Sequence, residues 1–166
     1  MFTPNNTNFL SNELRDHFRE LNRARDPKWR FVLARVAEDE SEAVFTGAEN
    51  CAASIVESHE RLLNLLPTNE PCWAIFNVPF VVSGGGNRNK VILIHWIPKT
   101  IIRPTRKEVI RVQMASVVQG GMIKASLGVT HNIRASSQDE LSLSTILEVL
   151  CRYEREPIDL DASLAL

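Results

Sequence analysis

The chain has 166 residues, with 19 Lys and Arg against 20 Asp and Glu for a formal net charge of -1; it is long enough for one hydrophobic core and too short for two of ordinary size. So even a balance excludes a nucleic-acid binder that works through overall charge, and any cationic docking surface has to be local. Cys51, Cys72 and Cys151 are odd in number and without C-x-x-C spacing, which argues for reduced thiols in a cytoplasmic protein and against a disulfide frame or a zinc site.

The polar opening Met-Phe-Thr-Pro-Asn-Asn-Thr-Asn lacks the basic and apolar regions of a signal peptide. The apolar runs elsewhere are too short to span a bilayer. A flexible segment is expected over residues 1–10. From Ser11, Leu14, Phe18 and Leu21 fall at helical spacing with charged residues on the other faces, and Asp26-Pro27 ends that first helix. Trp29 to Val36, rich in aromatic and branched residues, predicts a strand. Glu38-Asp39-Glu40 reads as a solvated turn, and Glu42 to Thr46 as the returning strand.

Ile55, His59, Leu62, Leu63 and Leu66 form one stripe of a second helix closed by Pro67, with His59 read as a packed or rim histidine and not a ligand. Two strands follow, Cys72 to Val82 and Lys90 to Ile97, joined by Ser83-Gly-Gly-Gly-Asn-Arg-Asn89. Pro79 predicts a bulge or an edge, because proline donates nothing to the ladder. The second strand is apolar at nearly every position, as suits a strand covered on both faces, and His95 within it is expected as a hydrogen-bonded core or rim residue. The glycine-rich loop fails as a phosphate cradle: its lysine, Lys90, precedes Val91 instead of Ser or Thr, and a strand follows instead of a helix.

Residues 105–119 predict a third helix, with Val109, Val112, Ser116 and Val117 on one side and Arg106, Lys107 and Arg111 largely elsewhere. Gly120-Gly121 is expected to weaken or end it, each glycine costing about 1 kcal/mol relative to alanine. Val129 to Ala135 alternates as a last strand. Ser137-Gln-Asp-Glu140 reads as a capping box before a fourth helix that buries Leu143, Ile146, Leu147 and Leu150 and stops at Pro157. A helix between the fourth and fifth strands lets that pair run parallel. The expected fold is α/β (α+β): one domain over residues 11–157, with a mixed five-stranded sheet, mostly antiparallel with one parallel pair, and helices on both faces. Residues 158–166 are expected as a C-terminal tail.

Lys99, Arg103, Arg106, Lys107 and Arg111 cluster where the fourth strand hands over to the third helix, with Glu108 as the only local opposite charge. Such a patch suits an acidic protein surface or the headgroup of a phosphoinositide. No G-x-S-x-G, H-E-x-x-H or Cys-His arrangement is present, and His17, His59, His95 and His131 lie on different elements. The expectation is a binding protein with no catalytic residues, no metal and no cofactor.

The run Leu66-Pro-Thr-Asn-Glu-Pro-Cys-Trp-Ala-Ile-Phe76, the glycine-rich hairpin, Val91-Ile-Leu-Ile-His-Trp-Ile-Pro98 and Gly128-Val-Thr-His-Asn-Ile-Arg-Ala-Ser-Ser-Gln-Asp-Glu-Leu141 together resemble the actin-depolymerising factor/cofilin homology (ADF-H) domain, in the same element order. The resemblance implies the gelsolin-like layered fold and a monomer of the cytoplasm and cytoskeleton. It implies a non-enzymatic binder of actin monomers or filaments that packs its long helix into an actin cleft and depolymerises or severs filaments. The alternative within the superfamily is a non-severing protein: a coactosin-like filament-side binder or a glia-maturation-factor-like Arp2/3 ligand. The family's basic positions fall on Arg106 and Lys107 if Val109-Ile110 match its first buried pair, or on Arg111 if Met114-Ala115-Ser116 match its small-residue segment; Arg103 belongs to the same patch. The filament-contact surface implied by the family involves Arg88, Lys90, Arg152 and Arg155. His131 matches a histidine tied to pH response in some members, but Lys90 stands where those members have an acidic partner, so the same switch is not expected. Residues 2–10 contain no serine to match the regulatory one that some members carry.

Overall fold

The computed structural model describes residues 9–166; residues 1–8, most of the expected flexible segment, lie outside the described residues. Phe9 and Leu10 are buried and tied to the sheet. The Ala43 N–H donates to the Phe9 carbonyl at 2.7 Å, and the Ser11 N–H to the Ala43 carbonyl at 2.8 Å. The elements in order are α1 (Asn12–Leu21), β1 (Trp29–Val36), β2 (Ala43–Asn50), α2 (Ile55–Leu65), β3 (Cys72–Val82), β4 (Asn87–Trp96), α3 (Arg106–Leu127), β5 (His131–Ala135), a 3-10 turn (Gln138–Leu141), α4 (Leu143–Cys151), β6 (Ile158–Asp159) and α5 (Leu160–Leu164).

The expected mixed sheet is present, in the order β2-β1-β3-β4-β5, with β4 and β5 parallel and the other pairs antiparallel. A two-residue sixth strand, β6, adds to the five by pairing with the far end of β3. Side chains alternate across the strands and so build two cores. On one face Phe31, Leu33, Ala74, Phe76, Ile92 and Ile94 pack with Ile55 and Leu62 of α2 and Ile146, Leu147 and Leu150 of α4. On the other, Val32, Ala34, Trp73, Ile75 and Leu93 pack with Leu14 and Leu21 of α1 and Ile123 and Leu127 of α3.

Pro79 pairs in unbroken register with Asn89, so β3 has no bulge there. It lies where β3 has left β1, whose last partner is Phe76, and has not yet met β6 at Val81, so the strand edge is locally open. Residues 158–166, expected as a tail, form β6 and α5. Ser163 accepts the Val81 N–H at 2.8 Å, and Leu166 packs against the core. The capping box expected at Ser137 is displaced by one residue: Ser137 makes no side-chain cap. Instead the Ser136 N–H donates to Glu140 at 2.7 Å, and α4 starts after Ser142, whose hydroxyl accepts from the Thr145 N–H.

Gly120-Gly121 neither ends nor interrupts α3, which runs unbroken for 22 residues. Packing outweighs propensity here, because the helix is held on the sheet through Ser116, Gly120, Ile123 and Leu127. Of the residues grouped on one side of this helix, Ser116 is buried and Val117 is exposed.

Candidate partner-binding face

Helix α3 is fixed at both ends before any partner arrives. Thr105 accepts from the Glu108 N–H at 3.3 Å while Glu108 accepts from the Thr105 N–H at 3.1 Å, a complete capping box. Gly128 closes the other end at φ 66°, a left-handed conformation that glycine adopts without a Cβ penalty. Buried Ile101 pins the approach to the helix.

The outer face of α3 is not polar. Ile110, Met114, Val117 and Val118 follow one another at helical spacing, and all are exposed, Met114 by 67% and Val118 by 61%. Ile110, Met114, Ala115 and Val118 line a shallow apolar groove of about 460 Å³ that Lys107 and Arg111 border. This stripe was missed at the sequence level, where Val117 was grouped on one side with Val109, Val112 and Ser116. A helix apolar on both sides has no single period to read.

The cations divide. Arg106 and Lys107 are exposed and make no ion pair among the described residues, since Glu108 is engaged by Thr105. Both lie in the first turn, where the helix dipole disfavours positive charge, so they contribute nothing evident to folding. Arg111 borders the outer groove and also, with Arg103, lines a cleft of about 350 Å³ beside Glu38, Glu40 and Glu70. The acidic turn of the β1–β2 hairpin thus moderates Arg103 and Arg111 but not Arg106 and Lys107. Arg103 also donates to the Ile102 carbonyl at 2.6 Å.

Arg88, Lys90, Arg152 and Arg155 gather at the other end of the sheet, around the β3–β4 hairpin. Two of them are already paired: Arg88 reaches Glu156 at 3.0 Å and Glu154 at 4.0 Å, and Lys90 reaches Glu154 at 3.2 Å. Arg152 and Arg155 are exposed and unpaired among the described residues. The two acidic residues had no visible role in the sequence, being more than 60 positions from their partners.

His131 on β5 packs against Tyr153 with the rings tilted and their centroids 4.6 Å apart. Burial holds its pKa below the ordinary value, as does Lys90, while Glu154 opposes them. The acidic neighbour missing from β4 is therefore supplied by the C-terminal segment. His59, buried as expected, pairs with the Leu141 carbonyl at 2.5 Å. His95 is buried but differs from expectation: it stacks on Trp73, and its Nε2 has no hydrogen-bond partner. Among the described residues no group of His, Cys, Asp or Glu is placed to hold a metal ion, and no helix is long and apolar enough to cross a membrane.

Residues 8–151 match the family described as cofilin/tropomyosin-type actin-binding protein. Among curated proteins the chain is 24% identical to cofilin of Saccharomyces cerevisiae over 75% of its own length and 80% of that protein. It is 27% identical to actin-depolymerizing factor 2 of Oryza sativa over 82% of this chain and 86% of that one. Among solved structures it superposes on Streptomyces griseoflavus cofilin with a TM-score of 0.66 at 16% identity, covering 86% of this chain and 96% of that one. On coactosin from Entamoeba histolytica the TM-score is 0.68 at 16% identity, over 87% and 95%.

Proposed function

The chain belongs to the cofilin/tropomyosin-type actin-binding protein family, and on that premise we propose that it binds actin through the outer face of α3 and promotes filament depolymerisation or severing. The observation that carries this reading is the exposed stripe Ile110, Met114, Val117 and Val118 on a doubly capped helix. A long, rigid helix with an unpartnered apolar face fits a partner's groove by the helix-in-groove mode, with anchors at i, i+4 and i+8. Arg106, Lys107 and Arg111 flank the anchors and supply steering and orientation toward an acidic surface. The protein acts as a monomer on actin monomers and filaments in the cytoplasm and cytoskeleton, as a binder and not an enzyme. Phosphoinositide headgroups compete for the same cations.

One observation favours a second reading, a coactosin-like filament-side binder or a glia-maturation-factor-like Arp2/3 ligand that does not sever. Arg88 and Lys90, half of the surface proposed to engage a second filament subunit with Arg152 and Arg155, are held by Glu154 and Glu156. Sedimentation with filamentous actin, with the soluble actin measured in parallel, separates the two. A rise in soluble actin supports disassembly, co-pelleting without a rise supports side binding, and no interaction with filaments or monomers refutes both.

A further inference from the structure

Residues 152–157 link α4 to β6 without regular structure of their own, yet they are fastened at four points, three on the β3–β4 hairpin and one on β5. Tyr153 lies against His131. Glu154, its side chain only 8% exposed, bridges Lys90 and Arg88. Glu156 pairs with Arg88. The Pro157 carbonyl accepts the Ser83 N–H at 2.8 Å. On either side the chain is secured independently of these contacts: Leu150 of α4 is buried in the core, and β6 pairs with Val81 and Val82.

We propose that this segment is an intramolecular acidic cover, in which Glu154 and Glu156 occupy Arg88 and Lys90 and must yield them before the hairpin docks on an acidic surface of the actin filament. The inference rests on the actin-binding reading above. Charge complementarity carries it: the segment presents to the hairpin the carboxylates that an acidic partner would present, so the two compete for the same cations. Because both flanks stay anchored, release is a local rearrangement of about six residues and leaves the domain folded. Once uncovered, Arg88 and Lys90 join exposed Arg152 and Arg155 in one cationic surface. The cover therefore sets the strength of the filament contact without touching α3, and monomer binding through α3 is indifferent to it.

The test compares wild type with a Glu154→Gln/Glu156→Gln variant, which keeps the side-chain shapes and removes both charges. The expected result is filament binding about two- to five-fold tighter at low salt, the scale of partly exposed ion pairs. The gain disappears when Arg88→Gln and Lys90→Gln are added, and monomer affinity is unchanged throughout. A folded double variant that binds filaments no more tightly than a binding-competent wild type overturns the cover and leaves the α3 reading intact. If neither protein binds actin in any form, the reading and this inference fall together. Hydrogen exchange on the wild type keeps the idea testable should the variant misfold. A peptide spanning residues 152–157 is expected to exchange faster with filaments present; unchanged or slower exchange there overturns the release.

Discussion

Gly120 of α3 lies so close to His95 of β4 that a Cβ in its place would stand 3.0 Å from the imidazole Nδ1. The same Cβ would meet Nε1 of Trp73 at 3.1 Å. Trp73 and His95 are stacked with centroids 5.2 Å apart and are buried beneath the helix. The missing side chain is thus what lets α3 settle onto this stacked pair. Its neighbour Gly121 points into open space, with nothing within 4 Å.

The two glycines therefore respond oppositely to alanine. Gly121→Ala is expected to stabilise the protein by up to about 1 kcal/mol, from helix propensity alone. Gly120→Ala gains the same propensity but presses on two ring systems that must both give by a few tenths of an ångström, and overpacking of that kind costs about 1–3 kcal/mol. Urea denaturation of both variants gives the comparison; equal effects would rule out the close approach.

His95 is expected to stay neutral well below the pH at which exposed histidines charge. Burial, and then the Arg134 guanidinium, push its pKa from the ordinary 6.5 down to about 4. Between those values the unfolded chain binds a proton that the folded chain refuses, so stability falls as pH drops through that window and is fully restored above pH 6.5. An NMR titration showing half-protonation of His95 near pH 6.5 would refute the assignment.

Asn77 is buried in β3 and connects three elements. Its Nδ2 donates to the carbonyl of Leu21 in the last turn of α1 at 2.9 Å, and its Oδ1 accepts from Asn89 at 3.1 Å. The last carbonyls of a helix have no partner within it, so Asn77→Ala leaves one orphaned beside fully buried Leu21. A loss of about 1–3 kcal/mol in stability is expected, together with faster amide exchange in α1; a change within 0.5 kcal/mol, roughly the scale of neutral surface substitutions, would remove Asn77 from this role.

Much of the architecture was legible because strong local patterns agree with the packing. Trp29–Val36 is the strand that its aromatic and branched residues predict, and the crossover helix makes β4 and β5 parallel as connectivity requires. What escaped depends on distance. The fate of Gly120 is decided by Trp73 and His95, far away in sequence, and propensity alone pointed the wrong way. The Ser136–Glu140 contact, one residue from the expected cap, is a matter of backbone direction that residue types do not encode. On α3 the cations were visible as a cluster, whereas the exposed stripe of Ile110, Met114 and Val118 emerges only once the sheet claims the opposite face.

The outer stripe of α3 gives the sharpest test of the proposed function, because its side chains are exposed and support no core. Met114→Asp and Ile110→Asp are expected to leave folding stability within about 0.5 kcal/mol of wild type and to weaken actin binding by about tenfold or more each, as loss of a central apolar anchor does. Arg106→Ala with Lys107→Ala is expected to act differently: on the proposed reading these cations steer and orient at the rim, so binding should weaken less and its dependence on salt flatten. The contrast is what identifies a helix-in-groove contact. If the two cation substitutions abolished binding while Met114→Asp had no effect, the contact would be purely electrostatic and the apolar stripe would have no part in it. Sedimentation at two ionic strengths with all three variants, each checked for its thermal transition, decides between these outcomes.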